Sequence, residues 1–578
     1  MGNKKMKDKW IHRIVVLICI WLVAGLSVAA EEPEERPRGP QGQGRGGDRG
    51  GQQPPGRGQF EGGSNRGQQT QRGQRSSTFN RESGETISRK IGLIQNTPAA
   101  FEGYTLFAPK HFNIIYLIDN AGQMVHSWAS DYEPGQSVYL LENGNLLHCC
   151  FTKSGANIGG GEGGRLEEFD WEGNLVWEYW CSDNQKSMHH DVEPMPNGNI
   201  LAMIVERKAY EECIEAGFSP QSLRNGYLLP EYIVELKRKG KADAEIVWEW
   251  HVWDHLIQDN DRTKDNYGDV SAHPELISVE VNGGRGAQAF WNHMNSIDYN
   301  PDLDQIMLSV RGCSELWVID HSTTTKEAAS HSGGRWEKGG DLLYRWGNPQ
   351  AYGAGGYKDQ QLFQQHDAQW IKPGLPGAGD ILVFNNGLNR RFGMPGATLS
   401  RGQGGYSSVD QIVPPMDEKG NYILKAGDAF GPEKPCWTYV ADNPTDMYAE
   451  AISGVERLPN GNTLICDGTS GVFLEVSPSG RKVWEYVCPV AGNGPLKQGD
   501  PIPIDHRGHA MNAVFKIERY APDYPGLVGK DLSAKGRVTG SIPEHVPENL
   551  SRRAPGGGQR RPGGGFGPAG GGGPRGRR

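Results

Sequence analysis

Between about Gln95 and Glu544 the chain alternates short runs of apolar and polar positions with Gly-, Asn- and Pro-rich turns, which predicts strands rather than helices. One phrase recurs: Val125-His126-Ser127-Trp128, Val176-Trp177-Glu178-Tyr179, Val247-Trp248-Glu249-Trp250, Leu343-Tyr344-Arg345-Trp346, Cys436-Trp437-Thr438-Tyr439 and Val483-Trp484-Glu485-Tyr486. A second phrase repeats as Glu142-Asn143-Gly144-Asn145, Pro196-Asn197-Gly198-Asn199 and Pro459-Asn460-Gly461-Asn462, where Asn-Gly supplies the positive φ of a tight hairpin. Two hairpins per unit and six units predict an all-β chain folded as a six-bladed β-propeller. A β-sandwich pair would explain the strands but not six copies of one phrase in fixed order. The best helical stretch, near Ala209 to Ala216, is short and reads as part of an insertion.

Composition marks off the two ends. Residues 1–30 carry a lysine-rich start, an apolar run from Ile14 to Val28 and small residues at Ala29-Ala30, the pattern of a signal peptide cleaved near Ala30. The run is shorter than the roughly 20 residues of a spanning helix, so a periplasmic or secreted protein without a membrane span is expected. Residues 31–89 are rich in Gly, Gln and Arg, and 551–578 in Gly, Pro and Arg. Both arms are expected to be disordered, flanking a folded domain over 90–550. The net charge of −9 includes a basic tail, so the folded part is more acidic than the total and no nucleic-acid groove is implied. Of the nine cysteines, eight lie beyond the signal segment. An oxidising destination permits disulfides among them, and the lack of CxxC spacing argues against a thiolate zinc site.

Candidate chemistry comes from the register of the repeats. The residue seven positions before the turn asparagine is His190 in one unit, Gln136 and Ser453 in two others, and His293 where Asn300-Pro301-Asp302 replaces the turn. His366 precedes a longer Gly/Pro turn at nearly the same offset, and the last unit offers His509-Ala510. Equivalent positions around one axis lie at one level, so His190, His293 and His366 are expected to face a common space, with Arg311 returning toward it on the next strand. Three histidines invite a metal reading. The arginine, with no carboxylate at the ring positions, favours an anionic ligand instead. Alternatively, each histidine caps a backbone group of an inner strand and has no chemistry.

Three stretches resemble the bacterial arylsulfate sulfotransferases: Asn292-His293-Met294-Asn295-Ser296 with Arg311; His366-Asp367-Ala368-Gln369-Trp370 with Phe384-Asn385-Asn386-Gly387 and Arg390-Arg391; and His189-His190-Asp191. The resemblance implies a periplasmic six-bladed propeller that moves a sulfuryl group from a phenolic sulfate ester to a phenol without a nucleotide donor or other cofactor. It implies His366 as the nucleophile that becomes sulfated, Arg311 and Asn295 holding sulfuryl oxygens, and His293 with His190 or His189 serving the leaving oxygen. Asn386 and Arg390 on the return strand are expected to bind substrate. The return strand reads Phe384-Asn385-Asn386-Gly387 where the family reads Phe-Asp-Asn-Gly, so Asn385 stands where an Asp is usual, which puts an orienting carboxylate in question. Two other functions stay open: a propeller that binds a sulfated or other anionic ligand without turnover, and a metal-dependent lyase or hydrolase.

Overall fold

The computed structural model describes residues 82–153, 160–280, 289–388, 390, 405–506 and 508–538. The expected signal segment, most of the expected N-terminal linker and the C-terminal tail lie outside the described residues.

Six antiparallel sheets form the blades of a β-propeller. From the inside outward, blade 1 is Val514–Tyr520, Tyr104–Pro109, Ile114–Asp119 and Met124–Ala129. Blade 2 is Pro134–Leu140, Leu146–Phe151, Gly164–Phe169 and Leu175–Trp180. Blade 3 is Lys186–Pro194, Ile200–Glu206, Glu231–Lys239 and Asp243–His251; blade 4 is Met294–Asn300, Gln305–Val310, Glu315–Asp320 and Tyr344–Trp346. Blade 5 is His366–Trp370, Ile381–Asn385, Ser408–Ile412 and Trp437–Tyr439. Blade 6 is Gly454–Arg457, Thr463–Asp467, Val472–Val476 and Lys482–Val487, with Gly92–Asn96 added outside as a fifth strand.

The ring is therefore closed twice: the last strand of the domain becomes the innermost of blade 1, and an early strand becomes the outermost of blade 6. Closure removes the exposed sheet edges that an open array would leave. Order also begins earlier than composition suggests. Glu82–Ile87 pairs with Ile502–Asp505, which corrects the expected boundary at residue 89. Pairing satisfies that backbone although few of its side chains are apolar. The expected short helix is Tyr210–Glu215, set between the second and third strands of blade 3. None of the eight described cysteines is in a disulfide, and all but Cys436 are buried.

Both faces of each blade are covered. One apolar cluster lies between blades 3 and 4, around Met203, Trp248, Met294 and Trp317. Others fill the remaining junctions, such as Phe107, Phe473 and Trp484 between blades 1 and 6. Leu201 turns toward blade 4 while its neighbour Ala202 turns toward blade 2, the period-two alternation of a strand buried on both sides.

The repeated aromatic phrase has a specific use. It lies on the fourth strand of every blade, and from each an aromatic N–H or O–H donates to the outer hairpin of the next. Trp128 donates to the Asp170 carbonyl at 3.0 Å, Trp177 to Asp243 at 3.1 Å and Trp248 to the Thr323 hydroxyl at 3.1 Å. Tyr344 then donates to Gly431 at 2.8 Å, Trp437 to Pro478 at 3.1 Å and Trp484 to Asn120 at 2.9 Å, which returns the chain of bonds to blade 1. Trp484→Phe is expected to lower stability by about 0.5–1.5 kcal/mol, the value of one hydrogen bond, because the half-buried Asn120 carbonyl keeps the Asn96 amide as a donor. Urea unfolding checks this, and an unchanged midpoint would contradict it.

Blades 3 and 4 are also joined by His321, whose Nδ1 lies 2.7 Å from Asp304 and Nε2 3.3 Å from Glu235. Burial disfavours its charge, but the two carboxylates outweigh burial and raise its pKa from 6.5 to about 9. The raised value means the contribution is complete below pH 6.5 and is lost as pH climbs through 9. The wild-type Tm should therefore fall more steeply between these pH values than that of His321→Gln. Parallel Tm profiles for the two proteins would remove this role.

Candidate active site

The inner strands open with an unusual backbone. Gln136, His190, His293 and Ser453, the residues at the shared register, have φ of 129°, 49°, 49° and 90°. Non-glycine residues rarely adopt this left-handed region. In blades 2, 3 and 4 the residue sits in or beside a slip of pairing register, so each strand carries a bulge at the same level. In blade 5 the left-handed residue is Asp367, with φ 50°, so His366 stands one position earlier and matches His189 rather than His190. The last unit departs further. Its inner strand is Val514–Tyr520, and His509 lies outside it, 2.6 Å from Glu450.

The histidines converge. His190 and His293 have ring centroids 5.1 Å apart, and His189 Nδ1 lies 2.9 Å from His190 Nδ1. Phe290 stacks on His293 at 4.4 Å and meets His189 edge-on at 5.1 Å. The return strand of blade 4 brings Arg311 back, its backbone N–H donating to the His293 carbonyl at 3.1 Å. Arg311, His293 and His366 are close enough for the arginine charge to act on both imidazoles.

His366 is held at both ring nitrogens. Asn386 donates its amide N–H groups to the carbonyls of Ala449 and Ile452, at 2.8 and 3.0 Å. Its Oδ1 must then accept, and it faces His366 Nδ1 at 2.8 Å. That fixes the proton on Nδ1 and leaves the lone pair on Nε2. The Nε2 lone pair accepts the Ile452 N–H at 3.1 Å. Ile452 itself has φ 50°, a strained conformation for a β-branched residue.

Other expected residues take different places. Asn295 is fully buried and donates to the Gln365 carbonyl at 2.7 Å, so it holds the segment entering His366. Arg390 donates to Ser408 at 3.0 Å and lies over the Tyr406 ring; no described contact joins it to the histidines. Several participants carried no sequence signal. The Lys110 ammonium donates to Gln136 at 3.2 Å and its charge reaches His190 and His366. Gly161 accepts the His190 N–H at 2.9 Å, and a Cβ there would sit 1.8 Å from the His190 ring. Only the glycine-rich composition around Gly160–Gly164 hinted at so close an approach.

Burial, then the charge of Arg311, holds His366 down at about 3; burial alone puts His189 at about 3. His190 and His293 are likewise pushed well below the usual imidazole range, first by burial and then, for His190, by His293 and, for His293, by Arg311. Burial also lowers Arg311 to about 10, with Glu450 working against it. Near neutral pH the cluster thus holds neutral imidazoles beside two cations, an environment that favours an anion. Among the described residues the ring histidines do not form a set of three with ligand atoms close enough to share one ion.

A family model, Arylsulfotransferase (ASST), matches residues 81–488. The chain belongs to the arylsulfotransferase family. Family membership supports arylsulfotransferase activity in general and small-molecule substrates. Comparison with curated proteins finds no match. Among solved structures, a Bacteroides caccae protein of unknown function is similar at 12% identity and TM-score 0.37, over 72% of this chain and 98% of that one. A periplasmic gluconolactonase from Pseudomonas aeruginosa is similar at 11% identity and TM-score 0.32, over 73% of this chain and 99% of that one. Likeness at this level carries no functional information. No described helix is long and apolar enough to cross a membrane.

The locked geometry has a spectroscopic consequence. In protein with ¹⁵N-labelled histidine, His366, assigned by its loss in a His366→Gln variant, should show one neutral tautomer with the proton on Nδ1 and no titration between about pH 5 and 9. A titration centred near 6.5 would contradict the arrangement.

Proposed function

We propose that this family member transfers a sulfuryl group from a phenolic sulfate ester to a phenol through sulfated His366. The observation that carries the proposal is the lone pair that Asn386 directs onto His366 Nε2, within reach of the Arg311 charge. In the first step the Nε2 lone pair attacks sulfur, the bond from sulfur to the aryl oxygen breaks, and the phenolate leaves with its electron pair. In the second, the acceptor oxygen attacks the same sulfur and the N–S bond returns its electrons to Nε2. The acceptor's proton passes to the departed phenolate or to solvent.

Sulfuryl transfer resembles phosphoryl transfer in needing in-line placement and charge on the equatorial oxygens more than an elaborate proton relay. Arg311 and Lys110 supply that charge. His293 and His190, kept neutral, offer ring N–H donors to the leaving oxygen. Asn295 serves by positioning, because its amide is committed to Gln365. The signal-peptide-like pattern of residues 1–30 supports an enzyme that acts outside the cytoplasm.

The Ile452 N–H on Nε2 favours a second reading, in which His366 is a backbone cap and the propeller binds an anion without turnover. In the catalytic reading that bond belongs to the resting state and is exchanged for sulfur. The two readings separate on purified protein given a chromogenic aryl sulfate and an acceptor phenol. Catalysis predicts phenolate release that falls at least about 10³-fold in His366→Ala and about 10²-fold in Asn386→Leu. It also predicts a sulfated peptide spanning His366 by mass spectrometry under alkaline quench. Binding of the aryl sulfate by both wild type and His366→Asn, without release, would select the second reading.

A further inference from the structure

We propose that His255, His331 and Asp341 form a site for a divalent transition metal of the zinc type, separate from the histidine cluster on the axis. His255 ends a short 3₁₀ turn, Val252–His255, after the outer strand of blade 3. His331 and Asp341 lie in the connection between the third and fourth strands of blade 4, beyond the helix Thr325–Ala328. The Nδ1 atoms of both histidines point at one atom, Asp341 Oδ1, each at 2.8 Å. The ligand atoms of the three residues all lie within 4.8 Å of one another.

The hydrogen bonding at His255 does not close with a neutral ring. Its Nε2 lies 2.9 Å from the Ala328 carbonyl, which can only accept, so the proton belongs on Nε2. Nδ1 then carries a lone pair, yet it faces a carboxylate oxygen. A cation between them turns both into ligands. The Nε2–H bond to a carbonyl is the outer contact that orients a metal-binding imidazole. Two imidazoles and a carboxylate make a borderline N/O donor set, with bonds of about 2.0–2.2 Å for Zn²⁺ and a fourth position left for water or another ligand.

The inner side of this arrangement is rigid. A Cβ at Gly340 would lie 1.9 Å from the Ala328 carbonyl oxygen and 2.6 Å from His255 Nε2, so glycine is what permits their contact. The Trp250 indole donates to the Gly340 carbonyl at 2.7 Å and lies parallel to the His255 ring, 5.6 Å away. The outer side is open. The His331 side chain is 62% exposed and lines a cavity of about 620 Å³ shared with Trp253, Asp254, Tyr267 and His273. An ion therefore has a route from solvent, and a ligand in that cavity has a route to the ion.

The test uses the full chain without a polyhistidine tag, stripped with EDTA and titrated with Zn²⁺ by calorimetry, with elemental analysis after gel filtration. Wild type and His366→Ala should each retain one equivalent of zinc. His331→Ala, chosen because its ring is exposed, and Asp341→Asn should bind about 100-fold or more weakly while keeping the wild-type circular dichroism. Equal uptake by wild type and His331→Ala, or no stoichiometric uptake by wild type, overturns the proposal and leaves His255 as a hydrogen-bond partner of Asp341 and Ala328. Loss of the zinc in His366→Ala would overturn it as well, by moving the ion to the axis.

Discussion

Lys516 ties the centre of the ring together. Its ammonium lies 3.1 Å from Asp191 and 3.3 Å from Asp367, and all three side chains are nearly closed to solvent. Tyr139 donates to the other Asp191 oxygen at 2.7 Å, and the second Asp367 oxygen accepts the Val455 N–H at 2.8 Å. One network thus reaches blades 1, 2, 3, 5 and 6. Asp191 follows His190 and Asp367 follows His366, so fixing the aspartates fixes the bulges from which the histidines project. A buried ion network returns little net stability after desolvation. Its larger effect here is on register, because an inner strand that slipped by one residue would leave an uncompensated charge on the axis. Lys516 also belongs to the closing strand, so the histidine cluster is complete only when the ring has closed.

The axis is electrostatically asymmetric along its length. The starts of the inner strands bring together His190, His293 and His366 with Arg311 and Lys110. Farther along the same strands come Glu193, Asp298, Glu456 and Glu518, one on each of four blades, grouped with Lys372 and Lys516. Burial, countered in part by the two lysines, raises Asp298 to about 6 and Glu518, which Glu456 also repels, to about 8. The histidine level thus sets Arg311 and Lys110 beside neutral imidazoles, whereas at the level beyond it the acidic groups, pushed toward their neutral forms, are balanced by Lys372 and Lys516.

The architecture was legible in sequence because its signals are local. An Asn-Gly turn, a two-residue alternation and an aromatic at a fixed place in the fourth strand each act within a few residues, and each recurs. The turn asparagines do more than bend the chain: Asn145, Asn199 and Asn462 all reach a glutamate on the third strand of their own blade. The site was legible only where counting from such a turn worked. It placed His190 and His293 correctly, then slipped by one at His366, where Lys372–Asp380 replaces the short turn. It also chose His509 in a unit whose inner strand starts later. Gly161 and Ile452 meet the histidines, Lys110 acts on them by its charge, and Lys516 holds the aspartates that follow two of them, all through tertiary contact alone. No spacing encodes such a contact.

Asn386 shows how an amide rather than a carboxylate behind the His366 ring bears on the chemistry. A carboxylate at that position would orient the imidazole and also stabilise positive charge on it. The amide keeps the first effect, since its N–H groups are spent on Ala449 and Ile452 and its oxygen remains for Nδ1. It gives up most of the second. In the proposed cycle, forming the N–S bond places positive charge on the His366 ring, close to Arg311, with no anion behind it. The intermediate is thereby less stabilised than one backed by a carboxylate, and the sulfuryl group is a better electrophile toward the acceptor. Sulfation of His366 becomes harder and discharge easier, so substrate binding by the cationic pocket must supply more of the energy of the first step.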